Sequence, residues 1–148
     1  MDPFSALGAA VTISTFAVRA KDIVGNIYRY YEAVRDAPKR ARELRQEMGY
    51  LCDLLDILEQ VTNEPNFKPS QPLFTAISSS IVGFKETLDD LDKRTAAANV
   101  KGIKRLKWPF SNDDNDKVLE KLQNYKTSFI MALQLKSKYI CHCVLIDL

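Results

Sequence analysis

The chain has 148 residues, of which 46% are hydrophobic and 27% are charged, and its net charge is +2 at pH 7. These proportions are typical of one globular domain and exclude a disordered chain. A charge this close to balance gives no electrostatic reason to expect a nucleic-acid partner. The 5 glycines and 6 prolines are few, and the prolines fall where helices should begin or end, so we predict an all-α fold.

The cysteines and the N-terminus favour a cytoplasmic protein. The three cysteines are odd in number, and Cys141 and Cys143 lie too close together for an ordinary bridge, so no disulfide framework is expected. The apolar N-terminal run has no basic residue before Arg19, unlike a secretory signal. As a helix, residues 3–18 would span about 24 Å, short of the roughly 30 Å of bilayer hydrocarbon, so we expect no permanent membrane span.

The first predicted helix begins at Asp2 and Pro3, where an acidic cap precedes a proline at the first helical position. The apolar residues of its first half recur at helical spacing and include Phe4, Leu7, Val11, Ile13 and Phe16. A segment that is apolar nearly all round is either buried in a bundle or exposed to lipid. The second half has a polar side, and we expect a kink or break at Gly25 and Asn26.

The second predicted helix restarts at the Asp36-Ala37-Pro38 segment and ends near Thr62, before a proline-marked loop. Its apolar stripe is predicted to be Leu44, Met48, Leu51, Leu55 and Leu58, widened by Leu54 and Ile57. The third helix is predicted over about residues 71–98, with the stripe Phe74, Ile77, Ile81, Phe84, Leu88 and Leu91. This spacing is typical of helices that pack nearly parallel to their neighbours in a bundle.

A short helical turn through Ile103 and Leu106 is expected before the last helix, which Ser111 should cap. The stripe of the last helix is Val118, Leu122, Tyr125, Phe129 and Leu133. Together these segments predict an antiparallel bundle of four to five main helices, with a short extra helix before the last one. We assign residues 1–138 to this domain and residues 139–148 to a C-terminal tail whose structure the pattern does not predict.

The sequence offers little catalytic or metal-binding chemistry. His142 is the single histidine, and no second Cys/His cluster could complete a tetrahedral site with it and its flanking cysteines. We find no nucleophile–base arrangement and no glycine-rich phosphate loop. Asp89, Asp90 and Asp92 lie in one helix and are interpreted as a solvated face. We therefore predict no enzymatic activity, no catalytic residues, no cofactor and no metal.

Two basic clusters remain to be explained. The first is Lys39, Arg40, Arg42 and Arg45; the second is Lys101, Lys104, Arg105 and Lys107, just before Trp108. Solvated helix surface is the simpler interpretation. The alternative is contact with anionic lipid headgroups, to which each basic side chain near the bilayer contributes about 1 kcal/mol. Neither cluster has the interleaved aromatic residues that stack on nucleic-acid bases.

Three segments resemble the N-terminal domains of fungal STAND proteins, which are NOD-like receptors with a central nucleotide-binding module. They are the opening residues 1–8 (MDPFSALG), Asp36-Ala37-Pro38, and Leu106-Lys107-Trp108-Pro109-Phe110 before the last helix. The third segment is the most specific of the three. These N-terminal domains belong to the HeLo-like group, and the similarity to them covers about residues 1–135. Within the segment, Trp108 and Phe110 are expected to plug the end of the bundle, while Pro109 turns the chain into the last helix.

The resemblance implies a non-enzymatic signalling or effector domain of innate immunity and heterokaryon incompatibility that triggers programmed cell death. On oligomerisation, the N-terminal hydrophobic segment of such a domain leaves the bundle and perturbs the plasma membrane. In this chain the matching membrane-engaging residues are Phe4, Leu7, Gly8, Val11, Ile13 and Phe16. The implied partners are further copies of the chain, anionic phospholipid, and another receptor or adaptor protein. The alternative is a helical adaptor or regulatory domain without membrane activity.

Overall fold

The computed structural model describes residues 6–33, 38–65, 80–97 and 110–146, with side chains over 11–32, 38–65, 80–97 and 110–134. Four helices make up nearly all of these ranges: α1 (Ala6–Ala33), α2 (Lys39–Thr62), α3 (Ile81–Ala97) and α4 (Asn112–Ile146). No strand occurs within the same ranges. The prediction of an all-α fold is confirmed.

Consecutive helices form two antiparallel pairs. Ser14 of α1 bonds Glu59 of α2, whereas Lys21, further along α1, pairs with the earlier residue Asp56. The same reversal relates α3 to α4, since the early Phe84 packs on Phe129 and the late Arg94 lies 3.8 Å from Asp114. The two hairpins α1/α2 and α3/α4 therefore each run up and down.

The two hairpins pack so that parallel helices adjoin. Phe16 of α1 contacts Phe84 of α3, and Asn26, further along α1, reaches Thr95, further along α3. α2 and α4 also run parallel to each other. Arg40 pairs with Asp116 near the start of both helices, and Glu47 pairs with Lys126 further along both. The order around the bundle is therefore α1, α2, α4, α3, so α2 and α3 lie diagonally opposite each other.

The predicted apolar stripes supply the core. The stripe residues that are buried in α2, α3 and α4 are Leu44, Met48, Leu51, Leu55, Leu58, Phe84, Leu88, Leu91, Leu122 and Phe129. The Phe84 ring lies at the centre, with edge-to-face contacts to Phe16, Tyr125 and Phe129 at centroid distances of 5.2, 4.9 and 5.1 Å. Gly83 leaves room for the Tyr125 side chain of α4, because a Cβ there would lie 2.9 Å from the Tyr125 hydroxyl.

Two details of the predicted helices are wrong. Ile57 was expected to widen the buried stripe of α2, yet 45% of its surface is exposed, because it lies on the outer flank beyond Leu54. α1 does not break at Gly25 and Asn26, where a kink or break was expected, since the helix is continuous through both residues. The Asn26 amide donates to Asp92 and Thr95 of α3 instead of competing with its own backbone for hydrogen bonds.

The ends of the helices follow the local sequence more closely. α2 starts directly after Pro38 and ends at Thr62, and the Ser111 hydroxyl caps α4 by accepting a 3.1 Å bond from the Asp114 amide. α4 then runs on through the predicted domain boundary after residue 138 to Ile146. The predicted short helix before α4, and the start of the third predicted helix, lie outside the described residues.

Candidate membrane-contact site on the first helix

The first part of α1 is uncharged on both of its faces. No Asp, Glu, Lys or Arg occurs from the start of α1 to Val18. The inner side of this stretch contributes Ile13 and Phe16 to the core, at 0% and 5% exposure. On the outer side, Val11 and Val18 are 45% and 61% exposed, respectively. This outer surface therefore presents apolar side chains to the surroundings.

The next part of α1 is attached to the bundle by charged groups. The Arg19 guanidinium lies 3.0 Å from a carboxylate oxygen of Asp92 and 3.3 Å from one of Asp89, both on α3. On the other flank, the Lys21 ammonium lies 3.1 Å from the Asp56 carboxylate of α2. Ion pairs thus join α1 to both neighbouring helices just after the uncharged stretch ends.

Asp92 binds α1 at two points, two helical turns apart. One carboxylate oxygen accepts from Arg19, and the other accepts from the Asn26 amide at 3.3 Å. Asn26 is 5% exposed and also donates to the Thr95 hydroxyl at 3.2 Å. We call Arg19, Asn26 and Asp92 the α1 anchor. Asp92 was predicted to lie on a solvated face, so this bridging role was missed.

Before the anchor, the contacts of α1 are mainly apolar. Among the hydrogen bonds of the described side chains at 11–18, one joins α1 to another helix, from the Ser14 hydroxyl to Glu59 at 3.1 Å. The Thr15 hydroxyl instead donates to the Val11 carbonyl of its own helix at 2.8 Å. Val18 borders an open groove of about 300 Å³ beside Arg19 and Asp22. α1 therefore has an uncharged segment that is held mainly by packing and an anchored segment in which ion pairs add to the packing of Ile23 and Ile27.

The predicted headgroup residues differ in their availability. Lys39 and Arg42 are exposed, and the Lys39 ammonium lies 4.0 Å from the Glu43 carboxylate of its own helix. Arg40 forms an ion pair with Asp116 and donates to the Asn112 carbonyl at 3.1 Å. The Arg45 guanidinium lies 5.0 Å from the centroid of the Tyr31 ring. Two of the four side chains are therefore engaged within the bundle.

This basic cluster and the start of α1 lie at opposite ends of the molecule. The pairing of Ser14 with Glu59 places the beginning of α1 beside the end of α2, whereas Lys39 is the first residue of α2. At 1.5 Å per residue, Val11 and Lys39 are separated by about 35 Å along the bundle axis. The structure does not bring the two predicted sets of membrane residues together.

Several other predicted residues can be placed only in part. Phe4 and residues 106–109 lie outside the described residues, and Leu7 and Gly8 belong to α1 but have no described side chains. Phe110 is 6% exposed, and the Arg94 guanidinium lies 5.3 Å from its ring centroid. It is therefore buried near the start of α4, at the end of the bundle where the plug was expected.

Cys52 is not an activated nucleophile. Burial is the main cause that raises the pKa of its thiol to about 11, with a further contribution from the Asp56 carboxylate. The thiol is protonated at neutral pH and is a weak nucleophile. Within the described part of the chain, no group of three or more His, Cys, Asp and Glu side chains could hold a metal ion.

Of the described helices, none is both long and apolar enough to cross a membrane.

Comparison with known proteins identifies no relative: no family model, no curated protein and no solved structure matches the chain.

Proposed function

We propose that this chain is a non-enzymatic, HeLo-like effector domain that triggers cell death by oligomerising and engaging the plasma membrane through α1. The observation that supports this most is the division of α1 into an uncharged segment, up to Val18, and an anchor that begins at Arg19. Such a segment can exchange the bundle for lipid without moving a charge into the hydrocarbon. The anchor keeps the rest of α1 in the bundle while this happens.

The energetics allow the exchange to be switched. Withdrawing the buried side chains of Ile13 and Phe16 from the core costs about 1.5–3 kcal/mol each. Lipid would return a similar amount for these residues and would also cover Val11 and Val18, which the bundle leaves exposed. The remaining cost, which includes the core surface that the segment uncovers on α2 and α3, is what clustering of several copies at a membrane would offset.

The basic cluster fits this proposal in one orientation. The cluster of Lys39, Arg40, Arg42 and Arg45 lies at the opposite end of the bundle from Val11. The cluster and the start of α1 can therefore contact the same bilayer if the bundle axis lies parallel to the membrane surface. The exposed Lys39 and Arg42 would then contribute about 1 kcal/mol each with anionic lipid. Arg40 and Arg45 would first have to leave Asp116 and Tyr31.

We expect Val18→Glu to reduce binding to phosphatidylserine-containing vesicles at least tenfold in a flotation assay. Val18 is exposed in the bundle, so the charge should leave the fold intact, but it would have to enter the bilayer with α1. Val82→Glu is the matched control, because Val82 is 67% exposed but lies on α3. Circular dichroism of both variants would verify that the helices are retained.

Equal flotation of the two variants would contradict the role of α1. So would a wild-type protein that fails to float even when copies are held together by a fused trimerisation tag. Either result would favour the alternative, an adaptor or regulatory domain that binds another protein. That alternative is supported by exposed apolar side chains away from α1, among them Ile57 and Ile130.

A further inference from the structure

A second apolar surface lies where α2 and α4 run side by side. Its centre, which we call the α2/α4 face, consists of Tyr50, Leu54, Ile57 and Ile130. Tyr50, Leu54 and Ile130 line a groove of about 340 Å³ between the two helices. Tyr50, Ile57 and Ile130 keep 46%, 45% and 39% of their surface exposed. These side chains are therefore only half covered by their own chain.

Among the residues of this surface whose side chains the structure describes, charge is nearly absent. In α2, the exposed residues between positions 46 and 60 include one charged residue, Asp53, and in α4 those between 123 and 134 include none. Lys126, on the wall of the groove, donates to Glu47 at 3.0 Å, and its ammonium lies 5.1 Å from the Tyr50 ring centroid. The Lys126–Glu47 pair is neutral as a whole, so Asp53 is the one uncompensated charge among the described side chains that line the groove.

The edges of the α2/α4 face are lined by amides. Gln46 and Gln60 are exposed on α2, and Gln123 and Gln134 are exposed on α4. A side-chain amide both donates and accepts hydrogen bonds, so one amide can pair with another copy of itself. A surface that is apolar at its centre and rimmed by such groups is chemically complementary to itself.

We propose that the α2/α4 face binds a second copy of this chain across a two-fold axis. Such an axis places a surface against its own copy, so a charged face would repel itself, whereas this one brings together little more than two Asp53 side chains. The proposal rests on the oligomerisation included in the proposed function and assigns it to a surface. That surface is separate from α1, which stays available to lipid.

The size of the face sets the strength of the contact. Residues 46–60 of α2 are about 22 Å long, and residues 123–134, the described part of α4 beside them, are about 18 Å long. At roughly 10 Å of width per helix, they form a patch of about 400 Å² per partner. This is well below the about 800 Å² of a standard stable interface. We therefore expect a dimer dissociation constant in the micromolar range or higher. Self-association is then weak and depends on the local concentration of the chain.

Sedimentation velocity without lipid, over micromolar to near-millimolar concentrations, tests the proposal. We expect a concentration-dependent dimer for the wild type, and at least a tenfold higher dimer dissociation constant for an acidic face (Ile57→Glu with Ile130→Glu). A basic face (Ile57→Lys with Ile130→Lys) should be equally impaired. An equimolar mixture of the two should associate again, because the opposed faces then attract. Val82→Glu, on α3, should behave as the wild type.

The proposal is overturned if the wild type remains monomeric throughout, if the acidic and basic faces still dimerise alone, or if their mixture does not associate. It is also overturned if Val82→Glu impairs association as strongly as the changes on the face. Vesicle flotation remains a separate readout. If Val18→Glu loses lipid binding but still dimerises, the defect lies in α1 and not in the α2/α4 face. Failure of the interface and failure of the membrane function can therefore be told apart.

Discussion

Phe84→Ala should lower the free energy of unfolding by about 3–5 kcal/mol. Phe84 is fully buried and its ring contacts Phe16, Tyr125 and Phe129, so removing it opens a cavity where α1, α3 and α4 meet. The surrounding rings come from three different helices and cannot all collapse into the space. Loss on this scale is a large part of the stability of a domain of this size.

Urea unfolding followed by circular dichroism measures this effect. The matched control is Val82→Ala, two residues earlier on α3, because Val82 is 67% exposed and a change within about 0.5 kcal/mol is expected. A loss below about 1 kcal/mol for Phe84→Ala would mean that the aromatic cluster does not hold the two hairpins together.

Asp92→Ala should cost about 1.5–3 kcal/mol, because hydrogen bonds to a charged group are among the stronger ones. The substitution removes the acceptor of both Arg19 and the buried Asn26, and so breaks the α1 anchor at two points. Asn26 keeps its bond to Thr95, which limits the loss.

Asp89→Ala provides the comparison within the same helix. Its carboxylate also faces Arg19, at 3.3 Å, but 47% of its side chain is exposed, so we expect a cost of at most about 0.5 kcal/mol. Equal losses for Asp89→Ala and Asp92→Ala in urea unfolding would show that the contacts act as ordinary surface ion pairs. The α1 anchor would then stabilise the bundle no more than a surface ion pair does.

The sequence predicted the inward side of each helix because that side depends on local spacing. Leu44, Met48, Leu51, Leu55 and Leu58 recur every three or four residues and are buried together. The edge of a stripe is harder to predict, because its burial depends on where the neighbouring helices lie. Ile57 has the same apolar character as Leu58, but it falls on the flank of α2 that neither α1 nor α4 covers.

The candidate site was predictable in composition but not in arrangement. The absence of charge before Arg19 is visible in the sequence, whereas the outward position of Val18 and the inward position of Phe16 depend on how α1 packs. Asp92, one of the partners of Asn26 on α3, is 66 residues away in the chain. Spacing within one helix cannot reveal such a pair, and so three acidic residues on α3 looked equally solvated.

The central claim, that the start of α1 exchanges the bundle core for lipid, is tested most directly by fluorescence quenching with brominated lipid. The single natural tryptophan, Trp108, would first be changed to phenylalanine. A tryptophan would then replace either Phe16 or Phe129, which are similarly buried and pack on the same Phe84 ring from α1 and from α4. The pair differs in which helix carries the probe.

With vesicles that contain phosphatidylserine and acyl-brominated lipid, the Phe16→Trp protein should be strongly quenched and the Phe129→Trp protein should not. That result would place the α1 segment in the hydrocarbon while α4 remains in the bundle. Equal quenching of both proteins would mean that the whole bundle opens. No quenching of either, while the vesicles still carry protein, would mean that α1 stays in the core, and it would contradict the proposed function.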